Sequence, residues 1–333
     1  MEVTSGVSIQ VTEPTHVAEA RRRGAELASQ LGFDETTRGR VALVITEAGT
    51  NLLKHADGGE LVVGPAPGAP LRGVQILALD RGGGIPDVAA SLRDGYSTAG
   101  TAGTGLGALA RVSTTLDLYT SADRGTVLAA TVYPNGAAAP LEAGVSVPLA
   151  GETRCGDGWA TWRAGELTSI FVSDGLGHGP DASHATDRAV AAFRQHAERP
   201  AADVIRYVYD ALKSTRGAAV AVAELDRREG CARYCALGNI TGEIVYPDGA
   251  RQHLVSHNGI AGHAMRRLQE FTCPWPAGSL IVLHSDGVAA QWSLDRYAGL
   301  LLHRPDVIAG VLYRDFRRQR DDATVVVARN GMP

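Results

Sequence analysis

The sequence predicts two consecutive α+β domains, and three observations support this prediction. The chain has 333 residues, whereas a typical domain has about 150. Its first half shows two long helical patterns followed by strand-like runs, which predicts an α/β sandwich with helices on one face of a mixed sheet. Its second half is richer in strands and is interrupted by helices, which predicts a β-sandwich of two packed sheets flanked by helices.

The first half begins with two helical patterns. Thr15 is a candidate N-cap for a helix that Gly32 ends, because the apolar positions between them recur at helical spacing. A second helix is expected over residues 34–54, where apolar side chains form one broad face. The strand-like runs that follow, with one short helix between the middle pair, are residues 60–63, 74–79, 116–120 and 126–133.

The second half alternates strands with fewer helices. Its strand-like runs are residues 145–149, 158–163, 167–172, 218–224, 232–237, 280–284 and 324–328. Its helical patterns cover residues 181–198, 201–214 and 305–318. Small residues and a proline between the halves predict a linker over residues 136–144, which separates domains of residues 1–135 and 145–330.

Composition and charge exclude several classes of protein. The chain is 44% hydrophobic and 20% charged, as globular proteins are, which excludes collagen and disorder. Basic patches at Arg21 to Arg23 and at Arg317, Arg318 and Arg320 lie in helix-like segments, so we interpret them as solvated helix faces, not a nucleic-acid surface. No apolar run approaches the ~20 residues of a membrane span, and no secretory signal opens the sequence, so the cytoplasm is the expected compartment.

Three features of the first half indicate a nucleotide site. A polar line on the otherwise apolar second helix consists of Glu47, Asn51 and His55. Asp80 follows an apolar strand and precedes three consecutive glycines, so a carboxylate able to accept a hydrogen bond from a base amine lies beside bare backbone. The run Gly103-Thr104-Gly105-Leu106-Gly107 opens a helix, which favours phosphate binding.

In this order and spacing the motifs resemble the GHKL-type ATPases, and among them the RsbT/RsbW-like serine kinases of bacterial anti-sigma and stress signalling. The resemblance implies that Asn51 holds the Mg²⁺ of Mg-ATP and that Asp80 binds the adenine amine. It assigns further nucleotide contacts to Gly82, Gly84, Gly103, Gly105 and Gly107. Residues 94–103 resemble the ATP lid of RsbT. Glu47 is the candidate base that accepts the proton of an incoming serine; alternatively it only orients Asn51 or Lys54.

Repeated aspartate motifs in the second half indicate a metal site. Ser173-Asp174-Gly175 and Ser285-Asp286-Gly287 each end an apolar strand, and an aspartate followed by glycine exposes a carboxylate and a carbonyl together. Further aspartates lie next to strands at Asp157, Asp321 and Asp322. Oxygen ligands of this kind suit Mg²⁺ or Mn²⁺, and carboxylates converging from separate strands could form a two-metal centre that activates water against a phosphate ester. The alternative is that the Asp-Gly pairs are hairpin turns.

The order of these motifs resembles the SpoIIE/RsbX branch of the PPM-type metal-dependent serine/threonine phosphatases. The resemblance implies that Asp174 bridges two Mn²⁺ or Mg²⁺ ions and that Gly175 contributes its carbonyl. The remaining ligands would be Asp157, Asp286 and Asp321, with Asp321 preferred to Asp322 because the first aspartate of that pair is the family ligand. His178 is either a general acid or a structural imidazole. Arg154 and Arg163 are the candidates for a phosphate-binding arginine.

The two resemblances together predict a bifunctional signalling switch. An RsbT-like kinase domain fused to an RsbX-like phosphatase domain would act on phosphoserine or phosphothreonine of STAS-type antagonist or stressosome proteins, in control of a sigma factor or another output. Fusion would raise the effective concentration of both activities at a shared partner. The alternative is a phosphatase whose N-terminal domain binds ATP and a partner without transferring phosphate. Neither nucleic acid nor membrane is an expected partner, and homodimerisation stays open.

Overall fold

The computed structural model describes residues 5–68, 72–92, 105–134 and 139–331. Two compact units divide the chain, one from Gly6 to Pro140 and the other from Leu141 onward. The division falls inside the span 136–144 where the sequence predicts a linker, although residues 135–138 lie outside the described residues. Over the described ranges, no helix combines the length and apolar character needed to cross a membrane.

The N-terminal unit is one five-stranded sheet with helices packed against it. Its elements are β1 (Val7–Val11), α1 (Pro14–Gln30), α2 (Glu35–His55), β2 (Gly59–Ala66), β3 (Gly73–Leu79), α3 (Val88–Ser91), α4 (Gly105–Val112), β4 (Thr115–Ser121) and β5 (Gly125–Val132). The strand order is β1-β2-β3-β5-β4, and every described pairing is antiparallel. The predicted helix-on-sheet class is confirmed, but the expected mixed sheet is an antiparallel one.

The helices of this unit begin at residues that suit a helix N-terminus. α1 starts with Pro14 in its first turn and Glu13 as its N-cap, so the prediction that Thr15 caps it is wrong by two residues. α2 is capped by Asp34, whose Oδ1 accepts the Thr37 N–H at 2.7 Å. Its apolar face includes the fully buried Ile45, which places the polar residues of the helix away from the core.

The C-terminal unit is a sandwich of two five-stranded antiparallel sheets. Its strands are β6 (Glu142–Val147), β7 (Asp157–Ala164), β8 (Leu167–Gly175), β9 (Ala218–Asp226), β10 (Cys231–Leu237), β11 (Thr241–Val245), β12 (Arg251–Leu254), β13 (Gly259–Ile260), β14 (Ala264–Met265), β15 (Phe271–Pro274), β16 (Leu280–His284) and β17 (Ala323–Arg329). The sheets have the orders β15-β10-β9-β8-β7 and β12-β11-β16-β17-β6, and β13 pairs with β14 alone. This sandwich confirms the predicted class.

Helices cover the outer faces of both sheets. They are α5 (Pro180–His196) and α6 (Ala201–Leu212) on the first sheet and α7 (Pro305–Phe316) on the second. Alternation along β8 builds two cores: Ile170 and Val172 face the other sheet, whereas Phe171 stacks on Phe193 of α5 with ring centroids 5.1 Å apart. The predicted third helix ends earlier than expected, because α7 stops at Phe316 and Arg317 has extended backbone.

Candidate functional site

The strand register of the first sheet brings two aspartates together. β7 begins at Asp157 and β8 ends just after Asp174, and the two residues are directly paired across the β7–β8 ladder. Opposite residues of an antiparallel pair have Cβ atoms about 4.5–5.5 Å apart. Sequence neighbours cannot reveal this pairing, yet it places two of the predicted metal ligands at the same end of the sheet.

The second sheet contributes the loop that follows β16. Ser285 Oγ donates a hydrogen bond to Asp157 Oδ2 at 2.5 Å, which ties this loop to the first sheet. The same Ser285 oxygen accepts the Thr324 N–H at 3.0 Å at the start of β17. Since Asp286 directly follows Ser285 and Asp321 precedes β17, the predicted metal ligands from both sheets lie at one end of the sandwich.

Burial and mutual repulsion raise the pKa values of Asp157, Asp174 and Asp321. Burial raises the pKa of Asp174 well above its usual range, and the negative charges of Asp157, Asp286 and Asp321 raise it further. Burial also raises the pKa of Asp157 to about 8, although the hydrogen bond from Ser285 opposes this shift. Desolvated carboxylates that repel one another favour binding of a cation, and an all-oxygen donor set suits Mg²⁺ or Mn²⁺.

The carboxylates do not already form a coordination sphere. Among the described residues, no group of three or more His, Cys, Asp or Glu side chains is placed to hold a metal ion. Asp286 Oδ2 instead accepts a hydrogen bond from Asn239 Nδ2 at 2.7 Å, as Asp157 does from Ser285. The donor set therefore fits a divalent cation by its chemistry and charge.

Glycine is required at two positions of this centre. A Cβ atom at Gly287 would lie 1.8 Å from the carbonyl oxygen of Asp322, and one at Gly175 would lie 2.4 Å from the carbonyl oxygen of Ala182. Neither distance is sterically allowed. The glycines that follow Asp174 and Asp286 in sequence therefore let the backbone of Ala182 and of Asp322 pack directly against the chain beside these carboxylates.

Asp321 and Asp322 have different environments. Asp322 is buried, and its two oxygens accept the N–H groups of Leu149 and Gly156, each at 2.7 Å. Asp321 is half-buried, and its pKa is raised first by burial and then by the charge of Asp286. Asp322 thus fixes two loops of the protein, and the charges of both Asp321 and Asp322 raise the pKa of Asp157 and Asp174.

His178 lies in the loop after β8 and is held by a residue that the sequence did not indicate. Its Nδ1 is 2.6 Å from Glu152 Oε1, and the two side chains form an ion pair when the imidazole is protonated. The loop is also anchored by a hydrogen bond from Leu176 N to Gly217 O at 3.1 Å. Glu152 lies 26 residues before His178 and has no motif around it, so only the structure could identify it.

One arginine candidate from the sequence lies far from this centre. Arg163 is near the opposite end of β7 from Asp157, where its Nη2 donates to both oxygens of buried Glu142 at 2.6 and 2.7 Å. Its assignment as a phosphate-binding arginine is therefore wrong. The charge of Arg154 lowers the pKa of Asp187 on α5, although burial of Asp187 is the larger effect and raises it.

In the N-terminal unit, the predicted polar residues of α2 lie along one side of the helix, and Asn51 is close to the start of α4. Glu47 and Asn51 are one helical turn apart and half-buried, and His55 at the end of α2 is exposed. A Cβ atom at Gly105 would lie 3.4 Å from Asn51 Oδ1, so the glycine run meets this helix at Asn51. Gly107 is buried in α4, whereas Gly103 and the lid-like residues 94–103 lie outside the described residues.

Asp80 is oriented by backbone on both sides. Its Oδ1 accepts the N–H groups of Gly82 at 2.9 Å and Thr126 at 3.0 Å. Gly84 has a positive φ of 71° and its Cβ position lies 2.7 Å from the Ser121 carbonyl oxygen, so only glycine suits it. Gly125 was not predicted, but its φ is 72° and a Cβ there would lie 2.6 Å from Asp80 Oδ1.

These features define the class of protein. A β-sandwich with outer helices and a cluster of aspartates at one end of both sheets is typical of the PPM-type protein serine/threonine phosphatases. Residues 164–330 match the family model described as Stage II sporulation protein E (SpoIIE), and residues 11–132 match the model described as a histidine kinase-like ATPase domain. The chain belongs to the SpoIIE family and carries a histidine kinase-like ATPase domain before the phosphatase domain.

Relatives with known names support this fusion. The chain is 30% identical over 122 residues to the serine/threonine-protein kinase RsbT of Bacillus subtilis (strain 168), covering 37% of this chain and 92% of RsbT. It is 22% identical over 138 residues to the phosphoserine phosphatase RsbX of the same organism, covering 41% of this chain and 69% of RsbX. A solved structure described as "The bacterial stressosome: a modular system that has been adapted to control secondary messenger signaling" is 27% identical, with a TM-score of 0.53, and covers 56% of this chain and 98% of its own.

Proposed function

We propose that the chain is a bifunctional switch that removes phosphate from phosphoserine or phosphothreonine of STAS-type regulatory proteins and also phosphorylates such partners on serine. The observation that supports the phosphatase half best is the convergence of Asp157, Asp174, Asp286 and Asp321 from two sheets. The kinase half is supported by the identity with RsbT over most of that protein's length. Stressosome or partner-switching control of a sigma factor is the proposed context, since the named relatives are RsbT and RsbX.

Two Mn²⁺ or Mg²⁺ ions would be held by Asp157, Asp174, Asp286, Asp321 and the carbonyl of Gly175. Such a pair of ions supplies positive charge that holds a phosphate ester and acidifies water. Ser285 fixes Asp157 Oδ2 by donating to it, and Asp322 fixes the loops of Leu149 and Gly156. Asp157 and Asp174 in turn start and end strands, so their positions are set by the sheet.

His178 is the proposed donor of a proton to the departing seryl oxygen. Glu152 accepts from or pairs with His178 Nδ1 at 2.6 Å, which orients the ring and leaves Nε2 directed away from the carboxylate. A structural imidazole is the alternative. Replacing Glu152 with Gln separates them, because a general acid that loses its orienting carboxylate loses turnover, whereas a structural imidazole loses stability.

In the N-terminal domain, Glu47 is the proposed base, Asn51 the holder of the Mg²⁺ of Mg-ATP, and Asp80 the acceptor of the adenine amine. A Cβ atom at Gly105 would lie 3.4 Å from Asn51 Oδ1, and one at Gly82 would lie 3.1 Å from Ala56 at the end of α2, so this helix contacts both glycine motifs. Gly82, Gly84, Gly103, Gly105 and Gly107 are the proposed backbone contacts to the nucleotide. Two readouts, nucleotide binding and phosphate transfer, separate a kinase from a binding module.

The phosphatase proposal is tested with the full-length chain and a phosphoseryl peptide. We expect Mn²⁺- or Mg²⁺-dependent phosphate release that Asp174→Asn abolishes. Asp210→Asn is the matched control, because Asp210 is an exposed aspartate on α6. Undiminished metal-dependent turnover in Asp174→Asn would refute the assigned centre.

The kinase proposal is tested by transfer of labelled phosphate from ATP to a STAS-domain protein. We expect Glu47→Ala to lose transfer while ATP binding is kept, and Glu26→Ala, an exposed change on α1, to retain both. ATP binding without transfer to any STAS partner would support the second candidate, a domain that binds ATP and a partner without catalysis.

A further inference from the structure

The chain beyond α7 returns to the carboxylate centre. α7 ends at Phe316, and Arg318 N then donates to the carbonyl oxygen of Gly287 at 2.7 Å, one residue after Asp286. Three residues later the same segment reaches Asp321. Arg318, Gln319 and Arg320 therefore form an exposed rim segment that connects two of the loops carrying proposed metal ligands.

The two exposed arginines of this segment lack the acidic partners that others in the unit have. Arg206 pairs with Asp203, and Arg216 pairs with Asp181 at 2.7 Å. Neither Arg318 nor Arg320 has an ion-pair partner among the described residues. Their neighbour Arg317 is different, because its guanidinium packs over the Tyr313 ring and donates to the Pro148 carbonyl.

The position of Arg318 and Arg320 beside the carboxylate centre distinguishes them, because other exposed arginines such as Arg228 also have no ion-pair partner among the described residues. Exposed arginines contribute little to folding, and in a chain of net charge −4 acidic partners are plentiful. Two cationic side chains beside a phosphate-binding centre instead increase attraction for an anionic partner. An extended peptide advances about 3.3–3.6 Å per residue, so residues two to four positions from a phosphoserine in the centre can reach this rim.

We propose that Arg318 and Arg320 form a subsite that recognises acidic side chains flanking the phosphoserine of the substrate protein. This inference rests on the proposed phosphatase function and adds the kind of substrate sequence that the centre prefers. The phosphate itself binds at the aspartate centre, and the rim segment discriminates among phosphoproteins by the charge next to the phosphate.

The test uses the full-length chain with Mn²⁺ and three substrates: p-nitrophenyl phosphate, a phosphoseryl peptide with aspartates on both sides, and the same peptide with asparagines instead. We expect the wild type to favour the acidic peptide in kcat/KM by about three- to tenfold, as two exposed ion pairs allow, and added salt to reduce this preference. In the double variant Arg318→Ala/Arg320→Ala this preference should disappear because the KM for the acidic peptide rises. Hydrolysis of p-nitrophenyl phosphate and the Mn²⁺ requirement should be unchanged.

Arg228→Ala is the matched control. Arg228 is exposed in the turn between β9 and β10, at the opposite end of the sheet from Asp174, so it should keep the preference. A preference that survives in the double variant, or its absence in the wild type, would overturn the inference while leaving the phosphatase intact. Failure of the wild type to hydrolyse any of the three substrates would overturn the proposed function. A single-stranded oligonucleotide is the last probe, because tight binding lost in the double variant would assign the segment to nucleic acid instead.

Discussion

Asp157 and Asp174 face each other as register partners at the end of the β7–β8 ladder, and both carboxylates are largely desolvated. Like charges directly opposite in an antiparallel pair destabilise a sheet. The protein keeps this pair although apolar or neutral residues would pack better there. Burying these two carboxyls side by side, which raises the pKa of both, is therefore a cost of folding at neutral pH that bound divalent cations would offset.

Replacing Asp174 with Asn should stabilise the metal-free protein and inactivate the phosphatase. Burial and the charges of Asp157 and Asp286 raise the pKa of Asp174, so keeping this carboxyl in the folded state costs free energy at neutral pH. A neutral amide avoids that cost, so thermal unfolding in EDTA should occur at a higher temperature than for the wild type. Mn²⁺ should raise the unfolding temperature of the wild type more than that of the variant, because a ligand stabilises only the state that binds it. Phosphate release should be lost, because Asp174 is a proposed ligand of both ions. A lower unfolding temperature in EDTA would contradict this prediction, and Asp210→Asn serves as the control.

Replacement by Asn should affect stability at Asp322 and metal-dependent turnover at Asp321. In Asp322→Asn, the amide NH2 group faces one of the two buried backbone N–H groups, so one hydrogen bond is lost and two donors lie against each other. This change should lower the free energy of unfolding by about 2–4 kcal/mol. Asp321→Asn should change stability by less than about 0.5 kcal/mol but reduce metal-dependent turnover by at least about tenfold. Urea unfolding in EDTA and phosphate release measure the two effects. Equal stability loss in both variants would show that their roles are not separate.

The sequence predicted the aspartates of this centre but not the hydrogen bonds between residues that are far apart in the chain. Asp174 and Asp286 could be found because each lies in a Ser-Asp-Gly motif after an apolar strand. The hydrogen bonds from Asn239 to Asp286 and from Ser285 to Asp157 join residues 47 and 128 positions apart. No pattern in a single sequence specifies such pairs, because they depend on how two sheets pack.

The secondary structure could likewise be predicted only in part. Long amphipathic helices such as α2 were predicted nearly to the residue, because a 3.6-residue period persists over many turns. Short strands such as β1 and β12 were missed, since four or five residues carry too little periodicity to stand out. The helical pattern predicts helix through residue 318, whereas the chain leaves the helix after Phe316 and Arg318 N donates a hydrogen bond to the Gly287 carbonyl oxygen.

Glu224 should make the stability of the phosphatase domain fall as the pH rises through neutrality. Burial raises the pKa of this carboxyl to about 7, the charge of Glu270 raises it too, and Arg233 opposes both effects. Because the folded state holds the proton more tightly than the unfolded state, the stabilising contribution is complete below about pH 4.5 and is lost as the pH passes 7.

Glu224→Gln should therefore remove this dependence. Its unfolding temperature should exceed that of the wild type at pH 8.5 and approach it at pH 5.5, in scans at constant ionic strength. Glu229→Gln is the control, because Glu229 is an exposed glutamate in the nearby β9–β10 turn. Parallel curves for Glu224→Gln and the wild type would show that this carboxyl does not titrate in that range.

Gly125→Ala should impair recognition of the adenine ring by displacing Asp80, although Gly125 itself is not a proposed nucleotide contact. Gly125 has a φ of 72°, and a Cβ there would lie 2.5 Å from the Asp80 carbonyl oxygen and 2.6 Å from its Oδ1. Alanine must therefore displace Asp80 from the N–H groups of Gly82 and Thr126, at a cost of about 1–3 kcal/mol in stability. Gly39→Ala is the control, since nothing lies within 4 Å of that position in α2, and it should stabilise the helix by about 0.5–1 kcal/mol.

The decisive measurement compares ATP with inosine triphosphate, which lacks the exocyclic amine. If Asp80 accepts a hydrogen bond from that amine, wild-type protein should bind ATP about ten- to a hundredfold more tightly, because a hydrogen bond to a charged group contributes about 1.5–3 kcal/mol. Gly125→Ala should bind the two nucleotides with similar affinity, and Gly39→Ala should discriminate as the wild type does. Retained discrimination in Gly125→Ala, with circular dichroism showing a folded protein, would mean that the adenine amine is recognised by another residue, because Asp80 could not keep its present position beside an alanine.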